Sequence, residues 1–239
     1  MKNLQNKRIV IIGGTSGIGL TTARMLAAEG AEVIISGRHQ NKLQQAIKES
    51  SASPLSQSVN AADRNQLDAF FKSIGNFDHL IITVSGGKGA GAFKDLNLDD
   101  LHDGFEEKFW PQLRTLQTAL PYLSNTGSAT LITAVSATSG KPGFSGLAAI
   151  NGAIELMIPV WAKELRPLRI NAISPGVIDT AWWNSFPADV KNSLFEQFAA
   201  ETPVGRNGKP EDIAKSILFM IEQEFITGRI LQVDGGFGL

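Results

Sequence analysis

A doubly wound α/β fold, with one parallel sheet and helices on both faces, is what this sequence predicts. Three observations lead there. Short aliphatic and β-branched runs alternate with helical patterns along the whole chain. Those runs are nearly unbroken in apolar residues, as strands buried on both faces are. The chain has 239 residues and 43% hydrophobic content, enough to enclose a substantial core within the ordinary size of one domain. Residues 1–239 are therefore expected to form a single domain.

In chain order, strands are expected at 9–12, 32–35, 80–84, 129–135 and 170–173. A weaker run at 55–59 and a last one at 230–233 bring the sheet to seven. Helical patterns fill the intervals at 20–29, 41–49, 66–73, 98–123 and 147–165. The helix at 147–165 is apolar on nearly every face, which suits burial on two sides. Pro159 inside it should remove one backbone hydrogen bond and bend it.

The first strand runs through GGTSGIG, Gly13 to Gly19, directly into a helix. A dinucleotide pyrophosphate needs this arrangement: Gly13 permits a tight turn, Gly17 lets backbone approach the phosphates, and Gly19 allows close helix packing. The free N–H groups of Thr15, Ser16 and Ile18 and the positive helix end would then face the anion. At the end of the second strand, Ile35-Ser36-Gly37-Arg38-His39 carries no acidic residue to hold a ribose 2′-OH. Arg38 offers a fork suited to a 2′-phosphate. NADP(H) is thus expected over NAD(H), and Gly37→Asp is expected to reverse the preference.

Beyond these residues the chain resembles the short-chain dehydrogenase/reductase family from Arg8 to Leu239. The block Ile170-Asn171-Ala172-Ile173-Ser174-Pro175-Gly176, followed by Thr180, is similar to the family's Asn-x-Ile-x-Pro-Gly-x-x-x-Thr pattern. Arg206, Gly208, Pro210 and Glu211 resemble its later turn, and Thr227-Gly228 with Val233-Asp234-Gly235-Gly236 its closing signature. The resemblance implies that Pro175, Gly176, Val177, Ile178 and Thr180 meet the nicotinamide. It also implies that Asn60 and Ala61 lie at the adenine, and that Ser85 and Gly86 stand in the family's Asn-Asn-Ala-Gly turn. It implies a dimer or tetramer paired through the long helices.

The departures are in the catalytic set. The family's tyrosine falls on Leu147, its lysine on Asn151 and its asparagine on Lys108. Its serine falls on Ala137 without a gap, with Ser136 directly before it. The chain's only tyrosine, Tyr122, falls at the far end of the predicted helix 98–123, as a packing residue. His39, His79 and His102 read as surface or capping residues. The amide and the cation have exchanged helices, and Lys108 is expected to reach towards Asn151. Lys108, Ser136 and Asn151 are the candidate catalytic residues.

Composition limits the partners. Lys plus Arg number 22 against 23 for Asp plus Glu, a net charge of −1, which gives no reason to expect nucleic acid or an anionic membrane. There are no cysteines, and no cluster of histidines and carboxylates suggests a metal. The N-terminal apolar run is too short for a secretory signal, and no apolar run reaches the roughly 18 residues of a membrane span. A cytoplasmic protein is expected. Trp182, Trp183, Phe186, Phe195 and Phe198 place aromatics in a segment, 181–205, where the family has its substrate lid. That suits an apolar or aromatic carbonyl compound, although the same residues equally suit core or interface packing. Two functions stay open: an NADP-dependent oxidoreductase with a non-standard catalytic set, or an inactive nucleotide-binding sensor or assembly partner.

Overall fold

The computed structural model describes residues 4–239. Its sheet has seven parallel strands: β1 (Arg8–Ile12), β2 (Glu32–Gly37), β3 (Gln57–Ser58), β4 (Phe77–Ile82), β5 (Leu123–Ile132), β6 (Arg169–Pro175) and β7 (Ile230–Val233). The order is β3-β2-β1-β4-β5-β6-β7, so the direction of winding reverses between β1 and β4. In such sheets the crevice at the carboxyl ends of the strands, beside that reversal, is where ligands bind.

Apolar residues on the two sheet faces pack against separate helical layers. On one face Val10, Ile12, Leu80, Ile82, Leu131 and Ile170 join α3 (Arg64–Ile74), α5 (Trp110–Ala119) and α6 (Ser145–Glu164). On the other, Ile9, Ile11, Ile35, Ile81 and Ile173 join α1 (Gly17–Ala28), α2 (Gln40–Ser50) and α8 (Pro210–Glu222). A core on each face is what makes the central strands apolar throughout.

Two expectations about elements need correction. The stretch 98–123 is not one helix. It is α4 (Leu98–Gly104), a π-helical turn (Phe105–Phe109) and α5, and Leu123 already belongs to β5. Pro111 has no N–H to offer the carbonyl four residues back, and the helix widens just before it. β5 likewise ends at Ile132, and Val135 lies in a 3₁₀ turn (Val135–Ala137). Two helices, α7 (Ala188–Glu201) and α8, were not foreseen.

By length and composition α6 could cross a membrane, contrary to the expectation that no run is long enough. In this fold it buries Ile150, Asn151, Ile154 and Ile158 and continues through Pro159. The residues resembling family motifs at the chain's end hold elements together. Arg169 donates to the carbonyls of Met220, Ile221 and Gln223 at the end of α8. Asn171 spans Ile226 and Arg229, Thr227 accepts the Ile170 N–H, and Arg206 pairs with Asp212. Asp234 accepts the N–H groups of Gly236 and Gly238.

Candidate active site

The carboxyl edge of the sheet gathers most of the sequence-predicted residues into one crevice. Its first wall is the glycine turn. Gly13 has φ +96° and Gly17 φ +50°, backbone that side chains rarely tolerate. A Cβ on Gly19 would land 2.3 Å from the Gly13 carbonyl oxygen, so only glycine lets α1 sit this close. Ser16 caps α1 without a side-chain hydrogen bond, and no acidic residue occupies the first turn. The open N–H groups and positive end of the helix are therefore unopposed, which is what a pyrophosphate requires.

The second wall follows β2. Among the described residues the exposed Arg38 guanidinium has no ion-pair or hydrogen-bond partner, and its carbonyl takes the Ser58 hydroxyl at 3.0 Å. Gly37 faces Thr15: a Cβ there would lie 2.6 Å from the Thr15 side chain. The position is thus closed to an acidic side chain while Thr15 stands, so a single Gly37→Asp change does not simply restore a ribose contact. Asn60 and Ala61 follow β3 nearby, where the Val59 N–H reaches the Gly37 carbonyl at 3.1 Å. The Asn60 carboxamide oxygen accepts the Ala62 N–H at 3.2 Å.

Towards the centre, Thr83 donates to the Gly13 carbonyl at 3.0 Å, tying the end of β4 to the glycine turn. Ser85 and Gly86 continue from it, and Glu107 pins this loop by accepting the Gly87 N–H at 3.0 Å. Pro175 ends β6, and Gly176 passes so close to Asp234 that a Cβ would meet its Cα at 2.8 Å. Val177 and Ile178 are held against Gly208, and Thr180 caps the following 3₁₀ turn and lies against Gly17. The glycine turn and the loop after β6 are thus in contact.

The other end of the crevice is built from side chains. Lys108, on the π-helical turn, is buried, and its ammonium donates to the Thr133 carbonyl at 3.0 Å. Burial pushes its pKa down to about 8, opposed by the Glu155 carboxylate. Asn151 Nδ2 donates to Ser136 Oγ at 3.1 Å and to the Leu147 carbonyl at 2.9 Å. No hydrogen bond joins Lys108 to Asn151: the ammonium donates to the Thr133 carbonyl, and Asn151 Oδ1 is left without a partner. Instead both side chains reach the segment that follows β5. Asn151 Oδ1 and Ser174 Oγ are buried without a partner, as are Ser36 Oγ and Gln112 Oε1.

Three residues here escaped the sequence reading. Thr133 donates its hydroxyl to Glu155 Oε1 at 2.7 Å, and buried Gln112 donates to the carbonyls of Val84 and Ile132. Glu155 left one signal, a carboxylate one turn from Asn151 within an apolar helix. His79 is also not at the surface: it is buried in β4, bonded to Ser128 at 2.9 Å, and burial lowers its pKa to about 4. Among the described residues no group of His, Asp and Glu is arranged to hold a metal.

Ser136 opens on a cavity of about 540 Å³ lined also by Phe93, Ala137, Lys141, Phe144 and Ala148. Beyond it, Trp183 packs on Phe186, Phe195 and Phe198, and donates its indole N–H to the Ile178 carbonyl at 3.0 Å. Trp182 faces outward at 42% exposure, as one of two adjacent tryptophans must, and its indole covers Gly87. Lys141 bonds Glu201 of α7 and lies 3.7 Å from the Phe237 ring centroid, joining the loop before α6 to the aromatic segment.

Comparison with known proteins agrees with this architecture. A family profile described as Enoyl-(Acyl carrier protein) reductase matches residues 13–238. The chain is 29% identical over 252 residues to the 3-oxoacyl-(acyl-carrier-protein) reductase FabG of Thermotoga maritima, covering 98% of each. It is 30% identical over 252 residues to the oxidoreductase asL5 of Sarocladium schorii, covering 99% of this chain and 97% of that one. Among solved structures, a small-chain dehydrogenase in complex with NADPH superposes with a TM-score of 0.85 at 32% identity, covering 97% of this chain and 98% of the other.

Proposed function

The chain belongs to the short-chain dehydrogenase/reductase family, and from that premise we propose that it is an NADP-dependent oxidoreductase acting on a carbonyl or alcohol through a catalytic set of its own. The observation that carries this reading is the Asn151–Ser136 hydrogen bond beside a cavity that Ser136 lines. Ser136 Oγ accepts from Asn151, so its own proton is free to donate to a substrate oxygen. An inactive remnant has no need to hold a cavity-lining serine on a buried amide.

The nucleotide fits the residues present. The open end of α1, the positive-φ glycines and the unpartnered Arg38 suit a phosphorylated dinucleotide, and Arg38 with Gly37 favours NADP(H) over NAD(H). The phosphate-side residues are Gly13, Thr15, Ser16, Gly17, Ile18 and Gly19, with Asn60 and Ala61 towards the adenine. Ser85, Gly86, Pro175, Gly176, Val177, Ile178 and Thr180 flank the nicotinamide end. When bound, the nicotinamide supplies or receives the hydride. This chain's residues do the rest: Ser136 hydrogen-bonds the substrate oxygen, and Lys108 places positive charge beside it as an alkoxide develops. With its pKa brought down to about 8, Lys108 can also hold or release a proton near neutral pH. Asn151 fixes Ser136.

The segment 181–205 serves as a lid, and its aromatic cluster suits an apolar or aromatic carbonyl compound. Exposed Leu156 and Val160 on α6 and Trp110 on α5 form an apolar face suited to pairing two copies of this chain, as a homodimer or within a homotetramer. The experiment is a thermal melt with NADPH, NADP, NADH or NAD, followed by NADPH oxidation against a panel of small carbonyl compounds. Stabilisation by NADPH with turnover supports the reading. Equal stabilisation by NADH sinks the cofactor preference, and stabilisation without turnover across the panel favours a nucleotide-binding sensor.

A further inference from the structure

Glu155 stands one turn beyond Asn151 on α6, so the two side chains leave the same face of that helix. Its carboxylate accepts the Thr133 hydroxyl at 2.7 Å. Thr133 is itself immobilised, because its N–H donates to the Ile173 carbonyl at 2.9 Å as a continuation of the β5–β6 ladder. Its carbonyl accepts the Lys108 ammonium at 3.0 Å. One buried residue at a strand end therefore joins a cation on one helix to a carboxylate on another.

The other carboxylates on the elements around Lys108 are turned elsewhere. Glu106 lies 3.6 Å from Arg114, Glu107 accepts the Gly87 N–H, and Asp100 and Asp103 of α4 face Lys88. Among the described residues, Glu155 is the carboxylate whose field reaches the buried amine and opposes its loss of charge. A buried ammonium on a backbone carbonyl alone, with no countercharge, is expensive to keep ionised.

We propose that Glu155 is a positioning residue of the reaction site: acting through the Thr133 hydroxyl, it keeps Lys108 charged and fixed on the strand end that carries Ser136. The proposal rests on the oxidoreductase reading only for the reaction this pair serves. Glu155→Gln keeps the shape and an oxygen for Thr133 to donate to, but removes the charge. Thr133→Val keeps the shape and removes the bridge, and Thr133→Ser retains the hydroxyl.

The test is a pH titration of the Lys108 side-chain NMR signals in protein labelled with ¹³C,¹⁵N-lysine, assigned by their absence in Lys108→Met. In Glu155→Gln the Lys108 titration is expected to move to lower pH by about one unit or more. Thr133→Val should move it the same way, and Thr133→Ser should restore it. The alkaline limb of the kcat–pH profile for NADPH-dependent turnover should follow, with the KM for NADPH held within about a few-fold. A Lys108 titration unchanged within about 0.3 unit in both Glu155→Gln and Thr133→Val overturns the proposal. Should Glu155→Gln fail to fold, the two Thr133 variants decide alone. A shifted titration in a protein that turns over no carbonyl leaves Glu155 in place and removes the oxidoreductase reading. Turnover with an unshifted titration does the reverse.

Discussion

The two ends of the crevice are made differently. At the nucleotide end the backbone does the work: Gly13 and Gly17 at positive φ, Gly19 packed on the Gly13 carbonyl, and the open first turn of α1. At the end proposed for the reaction, side chains from three distant segments meet: Lys108 from a π-helical turn, Thr133 and Ser136 after β5, and Asn151 and Glu155 from α6. A site made by backbone must write its requirement into adjacent residues, since few residue types accept such conformations. A site made by converging side chains writes nothing local, because any polar residue of the right reach can serve. The first end is constrained and the second is free to vary.

The same difference decides what was legible in the sequence. The five central strands were, because apolar runs buried on two faces stand out, whereas β3 is two exposed polar residues and β7 is only partly buried, and both left weaker runs. The glycine turn was legible for the same reason as its φ values. The length of the helix at 98–123 was not: helical periodicity runs on through Pro111, while the missing N–H that widens the backbone acts without changing the pattern. Lys108, Ser136 and Asn151 were singled out only by their places relative to a resembling motif, and the Thr133 carbonyl that Lys108 bonds was not foreseen. Thr133 was invisible and Glu155 left only a lone carboxylate in an apolar helix, since their hydrogen bond spans 22 residues and two elements.

The sharpest way to break the comparison is to remove the cation at the end made of side chains. Lys108→Met should lower NADPH-dependent turnover by roughly 10²-fold or more, the scale of a lost acid or oxyanion donor, with the fold intact. Stability should move the other way. Burial holds the Lys108 pKa at about 8 in the folded chain, against about 10.4 when unfolded, so the unfolded chain binds more protons between those values. Unfolding free energy is therefore lowest below pH 8 and rises by about 3 kcal/mol as pH climbs to about 10.4. Denaturant melts from pH 7 to 10.5 should show that rise in the parent and lose it in Lys108→Met. A variant that keeps both turnover and the pH-dependent rise would place the amine outside the site.

Ser136→Ala tests the same end with a neutral group. A loss of about 10²–10³ in kcat is expected, with NADPH affinity held. If kcat barely changes while the KM for the carbonyl rises, Ser136 belongs to the cavity wall and not to the reaction.

At the backbone-built end the expected effect is smaller. Arg38→Leu removes one exposed, unpartnered cation. A charge-assisted contact of about 1.5 kcal/mol corresponds to a rise of about tenfold in the NADPH Kd, with NADH binding unchanged. Isothermal titration with both nucleotides reads this directly. An equal loss for both would mean that Arg38 holds the fold of the loop and does not read the 2′-phosphate.

The smallest effect is expected from the chain's only tyrosine, and it matters because the family's proton donor is a tyrosine. Tyr122 lies in the turn before β5, and its carbonyl accepts the Phe77 N–H at the start of β4. Thr83, at the other end of β4, is six residues on, and at about 3.3 Å per residue the two edges of the sheet are about 20 Å apart. Tyr122 lines a different hollow, of about 420 Å³, at that far edge, and its ring stacks against Phe71 with centroids 6.4 Å apart. Phenylalanine keeps the ring and its packing, so Tyr122→Phe should leave turnover within about a few-fold of the parent and change stability by about 0.5 kcal/mol or less. A loss of about 10²-fold in kcat, with an unchanged melt, would move the chemistry to the opposite edge of the sheet and undo the division drawn between the two ends of the crevice.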